Sequence, residues 1–231
     1  MKATTEFDEI TVFGARGHTL VILRGMEEFW RGRVRLRALV DDIENGFVHP
    51  VLGIPVISSE ERLRQFAEVP ILLTPGSGSL RARMAKRFTD EGATLATASC
   101  PGQLHVDPVV DYGAGCLCMS FSRIGPNVRI GAGVQLLASV LAHDVTIGDF
   151  ATVGSGVCVS GHVEIGEGAH IGPQAVITNG SRDRPLRIGA GAIVGVGAAV
   201  LRDVPAGARV IGNPAMPVRD WVRLQRLLKQ P

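Results

Sequence analysis

The chain has 231 residues, 45% of them hydrophobic and only 5% aromatic, and its 24 basic and 22 acidic side chains leave a formal net charge of +2. That length holds one large soluble domain or two small ones around real cores, and the interspersed charges form no basic stripe, so nucleic acid is excluded as an expected partner. No stretch is long and apolar enough to span a membrane and the start, MKATTEFDEITVFG, lacks an apolar signal-peptide core, so the expected location is cytoplasmic.

In chain order, ITVF reads as a strand, followed by a helix through Leu20 to Trp30, the strand VRLRALV, the helical SSEERLRQFA, the strand ILLT and the helical SLRARMAKRF. Short apolar runs separated by helices imply a parallel sheet, here a Rossmann-like unit over residues 1–100. Ser58, with Glu61 three residues on, is a capping-box signal for the middle helix. Between the first strand and its helix lies Gly14-Ala15-Arg16-Gly17-His18. Backbone N–H groups at such a helix entry suit a phosphate, although the spacing is not GxGxxG and the dinucleotide fingerprint is not met. Glycines here also serve as plain strand-to-helix turns.

From Val106 the period becomes six. Apolar residues recur at Ile124, Ile130 and Leu136, then at Leu141, Ile147, Val153, Val159, Ile165, Ile171 and Ile177, then at Ile188, Val194 and Val200. Glycine follows most of them, and a small residue comes four places later. Short strands on this repeat stack into a β-helix solenoid, expected over residues 106–215, and its core of small aliphatics accounts for the scarcity of aromatics. The phase slips twice. Leu136 to Leu141 is one residue short, which tightens a corner immediately before His143. Ile177 to Ile188 spans eleven residues, and because burying Arg182 unpaired would cost several kcal/mol, SRDRP is expected as an outward loop.

His143 and Asp144 come two and three places after the inward Leu141, outward at a corner where neighbouring side chains can reach one cleft. They form the candidate catalytic pair, the acid orienting and polarising the imidazole. His162 and His170, also outward, are expected to be solvent-facing filler. Cys100, Cys116, Cys118 and Cys158 form no CxxC motif, so neither a disulfide framework nor a metal knuckle is expected. The HxxxxH pair of a γ-type carbonic anhydrase is missing as well, and no metal is expected. Last, VRDWVRLQRLLK at 218–229 places Val218, Trp221, Leu224 and Leu228 on one helical face, a docked terminal helix within 216–231.

The motifs TVFGARGHT, LVDD, VLGIPVI, PGSGSLR, AHDVTIGDF and VPAGARVIGNPA, together with the hexapeptides, resemble the sialic-acid O-acetyltransferase and nucleotide-4-amino-sugar N-acetyltransferase family of left-handed β-helix acyltransferases. The resemblance implies an α/β N-terminal Rossmann-like domain, then an all-β left-handed parallel β-helix with a short C-terminal helix, assembled as a homotrimer. It also implies direct passage of an acetyl group from acetyl-CoA to the amine of a nucleotide-linked amino sugar, without an acyl-enzyme. His143 matches the family's general base, with Asp144 where relatives often carry Glu. Arg16, Gly17, His18, Asp41, Asp42 and Gly76 match the substrate-binding positions, and Ser77 and Gly78 stand where relatives commonly show asparagines. Thr152, Gly161, Pro173 and Val196 match acetyl-CoA-binding positions, Thr152 replacing a second histidine that some relatives place near the thioester. O-acetylation of a sugar such as sialic acid and a non-catalytic sugar-nucleotide scaffold are the alternatives.

Overall fold

A computed structural model describes residues 1–99, 105–107, 110–212, 223, 226 and 227. The N-terminal unit contains β1 (Ala3–Thr4), β2 (Glu9–Phe13), α1 (Gly17–Trp30), β3 (Arg35–Val40), β4 (Phe47–Val48), β5 (Pro55–Ile57), α2 (Ser59–Gln65), β6 (Ile71–Leu73), α3 (Gly78–Asp90) and β7 (Leu95–Ala96). The strands form one sheet in the order β1-β7-β6-β2-β3-β5-β4, parallel except for β4 against β5. Strand alternation divides the core in two. Ile10, Val12, Leu39 and Leu72 pack with Ile22 and Met26 of α1, while Phe13, Val40, Ile71 and Leu73 face Ala85 and Phe88 of α3. Helices on both faces explain why β2 reads as a continuous apolar run.

Helix α1 starts at Gly17, earlier than its apolar pattern indicates, because the loop turns directly into it. Its N-cap Arg16 makes no side-chain capping bond, so the first N–H groups of the helix stay open toward the loop. For α2, Ser58 Oγ accepts from the Glu61 N–H at 3.1 Å. The Glu61 carboxylate instead accepts from Gln65 Nε2 at 2.8 Å, so the box is made on one side.

The rest of the chain winds into three parallel sheets that form a left-handed β-helix. The inward positions read from the period, Ile124 through Val200, and the small residues four places on are buried in one column. Both phase slips appear in the register. Arg129 pairs with Thr146, seventeen residues on, whereas Thr146 pairs with Glu164, eighteen on. Glu164 then pairs with Arg187, twenty-three on, so the coil absorbs five extra residues, and Ser181 to Arg184 lie exposed outside it. The solenoid begins before the expected seam between residues 100 and 106, since Ala98–Ser99 already pairs with Leu117–Cys118.

The three outer faces differ in chemistry. One stacks Val140, Cys158, Val176 and Ala199; a second stacks Arg129, Thr146, Glu164 and Arg187. The third stacks Gln135, Thr152, His170 and Ile193, and its first two members are buried beneath the N-terminal unit. Cys116 and Cys118 are buried thiols, and Cys158 is half-buried; none of the three is in a disulfide. The expected helix over 218–229 lies outside the described residues except Arg223, Arg226 and Leu227, which are helical and exposed. Among the described residues no helix is long and apolar enough to cross a membrane.

Candidate active site

The coil carrying Leu141 turns a corner at His143 and Asp144, with Asp144 in the left-handed region at φ 55°. Asparagine and aspartate tolerate that conformation better than most other non-glycine residues, and the same corner uses Asn127 at φ 58° one coil before. The turn makes two consecutive side chains converge instead of diverging. His143 Nδ1 lies 2.7 Å from Asp144 Oδ2, and Asn127 Nδ2 donates to Asp144 Oδ1 at 3.1 Å. The His143 bond, then the Asn127 bond, hold the Asp144 carboxyl below the usual carboxylate range. An ionised carboxylate only accepts, so Nδ1 is the donor and the lone pair of the ring sits on Nε2. That is the tautomer of a proton acceptor.

Two residues of the next coil complete the corner. Gly161 lies against the imidazole, where a Cβ would come within 2.5 Å of Cε1; its matched place as an acetyl-CoA contact thus coincides with a direct steric role. His162 is not filler. Its ring meets that of His143 edge-on, with centroids 5.1 Å apart and planes at 84°, and its Nδ1 is 3.8 Å from Asp144 Oδ2. The eighteen-residue coil brings these histidines together, and no local spacing in the sequence displays it. His170 remains exposed.

The expected sugar-nucleotide residues gather at the ends of β2, β3 and β6. Gly14 has φ 121°, and a Cβ there would sit 2.5 Å from the hydroxyl oxygens of both Thr19 and Thr74, which are themselves joined at 2.7 Å. This fixes the glycine loop to the β6 loop. His18 lies over Gly76, its Nε2 3.7 Å from where a Cβ would stand. Arg16 is exposed and paired with Glu44 at 3.3 Å and Asp41 at 3.8 Å, and Arg16, Gly17, His18, Asp41 and Gly76 all follow the carboxyl ends of β2, β3 and β6, where open α/β sheets favour ligands at a reversal of strand order. Asp42 is otherwise engaged. Its oxygens accept from the Ser59 N–H at 2.7 Å, the Ser59 hydroxyl at 2.9 Å and Arg87 at 2.7 Å; burial acts to raise its carboxyl, but these bonds outweigh it and hold the carboxyl low. Asp42 therefore ties the second loop to α2 and α3, with its side chain still 36% exposed.

Thr152 requires a correction too. It is 2% exposed, with its hydroxyl accepting from Arg81 at 2.9 Å and donating to the Gly76 carbonyl at 3.2 Å. It has no surface to offer a thioester. Arg81, which the sequence reading passed over, donates as well to the carbonyls of Gly133, Pro75, Gly76, Phe150 and Ala151 at 2.8–3.0 Å. Burial pushes its guanidinium down to about 10, still charged at neutral pH. It fastens the Gly76 loop to the solenoid. Pro173 and Val196 are exposed on successive coils of another corner, at the far edge of the apolar Val140–Cys158–Val176–Ala199 face. Arg187, itself exposed, is engaged with Glu164 at 2.8 Å, and Arg182 and Arg184 lie exposed in the outward loop.

A family model described as bacterial transferase hexapeptide (six repeats) matches residues 144–179. The chain is 33% identical over 217 residues to a GDP-perosamine N-acetyltransferase of Escherichia coli O157:H7, covering 90% of this chain and 95% of that protein. Among solved structures it resembles WeeI of Acinetobacter baumannii AYE, with a TM-score of 0.80, 30% identity and coverage of 90% of this chain and 98% of that one. It also resembles PerB of Caulobacter crescentus in complex with CoA and GDP-perosamine, with a TM-score of 0.78, 28% identity and coverage of 93% and 99%.

Proposed function

Since the chain belongs to the hexapeptide-repeat sugar N-acetyltransferases, we propose that it moves the acetyl group of acetyl-CoA directly to the amine of a nucleotide-linked amino sugar, with His143 as general base. The observation that carries this reading is the 2.7 Å contact of His143 Nδ1 with Asp144 Oδ2, which leaves Nε2 as the accepting nitrogen on an outward corner. The sugar amine attacks the thioester carbonyl carbon while Nε2 takes its proton. The tetrahedral intermediate then collapses, the C–S bond breaks, and the imidazolium returns the proton to the departing CoA sulfur. Asp144 stabilises the imidazolium through Nδ1–H. No nucleophilic serine or cysteine is required.

The nucleotide portion of the sugar substrate is assigned to the loops of Arg16, Gly17, His18, Asp41 and Gly76, and CoA to the apolar face that runs from His143 and Gly161 toward Pro173 and Val196. The reading includes a homotrimer, and one relationship in the fold supports assembly. The Gly76 loop rests on the sheet carrying Gln135 and Thr152, and His143 stands at the corner opposite that sheet, so in this reading a neighbouring copy brings the sugar-nucleotide loops and the base together. GDP-perosamine, the substrate named for the Escherichia coli relative and bound in PerB, is the first compound to test. Incubation of UDP-, GDP- and CMP-linked amino sugars with acetyl-CoA, read by thiol release and by the mass of the acetylated sugar, tests the proposal; absence of N-acetyl product from the whole set refutes it.

A further inference from the structure

Among the described residues, His143, Asp144 and His162 are the one group of three His, Cys, Asp or Glu side chains whose donor atoms lie within 4.8 Å of one another. The group is prearranged from the backbone. His162 is itself at a left-handed corner with φ 56°, its N–H donates to the His143 carbonyl at 3.2 Å, and its carbonyl accepts from the Leu186 N–H at 3.0 Å. The three side chains are 51%, 37% and 28% exposed in the order His143, Asp144, His162, open enough for an ion to enter and ordered enough to receive it. Two imidazoles and a carboxylate, with water in the fourth position, are a donor set for Zn²⁺ and not for Mg²⁺.

We infer that His143, Asp144 and His162 bind Zn²⁺ and that the bound ion switches the transferase off. The inference rests on the reading of His143 as the base. In the metal-free pair the ring proton is on Nδ1, held by Asp144, and Nε2 accepts. Zinc between the two histidines takes the lone pair of His143 Nδ1, and the single proton of the neutral ring moves to Nε2. The nitrogen that must accept the proton of the amine then already carries one, and the imidazole cannot act as a base. His162 supplies the second nitrogen ligand.

Calorimetric titration of the full chain with ZnCl₂ in chelator-free buffer tests binding without any substrate. One zinc per chain is expected, with affinity reduced at least about tenfold in His162→Gln, and with no comparable heat for MgCl₂. In parallel, acetylated GDP-perosamine is measured by mass, because free CoA thiol binds zinc itself. Zinc should suppress product formation, EDTA should restore it, and the ratio of rates with and without zinc should rise toward unity in His162→Gln. Absence of zinc binding, equal binding by His162→Gln, or undiminished turnover in a zinc-loaded chain overturns the inference. If none of the nucleotide sugars is acetylated, the functional reading fails separately, and the calorimetry still decides the site.

Discussion

Gly161 lies so close beneath His143 that a methyl group at position 161 would stand 2.5 Å from Cε1 and 2.7 Å from Nε2. The atoms it would meet belong to a partly exposed ring that can swing away, and Gly161 has no positive φ to lose. Gly161→Ala should therefore leave stability within about 1 kcal/mol of the parent, while turnover falls by about 10²-fold, the scale of a misplaced catalytic group. Thermal unfolding beside steady-state kinetics checks this, and normal kinetics would mean that the imidazole already works from another position.

His143→Ala should reduce turnover by roughly 10²–10⁴-fold, with acetyl-CoA binding little changed and the fold intact, because the side chain points outward. Ile147→Ala, at a position 1% exposed in the solenoid core, should instead cost roughly 2–5 kcal/mol through the cavity it opens. Turnover and denaturant midpoints measured on both variants separate chemistry from packing.

Arg81→Met keeps much of the stem and removes all six hydrogen bonds of the guanidinium. Several buried acceptors lose their donor, so unfolding free energy should fall by about 3 kcal/mol or more. With the Gly76 loop released, the KM for the nucleotide sugar should rise more than that for acetyl-CoA. Equal effects on both constants would assign Arg81 to general stability alone.

Val176 is 50% exposed at the middle of the apolar outer face. Val176→Asp should cost the isolated chain little and disrupt the trimer. Light scattering should give a trimer mass for the parent and a smaller species for the variant, with activity lost in step. A monomeric, fully active parent would contradict the shared site.

The solenoid was legible because its period is written in every coil: Ile130, Ile147 and Ile165 announce their burial by spacing alone, and the five extra residues before Ile188 follow from the same count. His143 and Asp144 were legible because two adjacent polar residues interrupt that pattern. His162 was not, since it joins them only through the coil step, which converts a separation of nineteen residues into ring contact. Arg81 and Thr152 were also hidden. Arg81 lies in a helix that also carries the exposed Arg83 and the half-buried Arg87, and nothing local distinguishes the one that enters the seam between the two units. The clasp of Asp42 to Ser59 and Arg87 likewise depends on tertiary placement, not on the LVDD motif.

The twenty-three-residue step from Glu164 to Arg187 leaves the rungs on either side in register, with Ile165 against Ile188 and Val176 against Ala199. The added segment closes on itself, Ser181 N–H to the Arg184 carbonyl at 2.9 Å and Arg184 N–H to the Ser181 carbonyl at 3.2 Å. A corner that has accepted five residues without disturbing its neighbours is a natural grafting point. A small reporter peptide placed between Arg182 and Asp183 would hang from the wall of the solenoid, on the same edge as the His143 column, and give an optical handle on events there without touching a single rung.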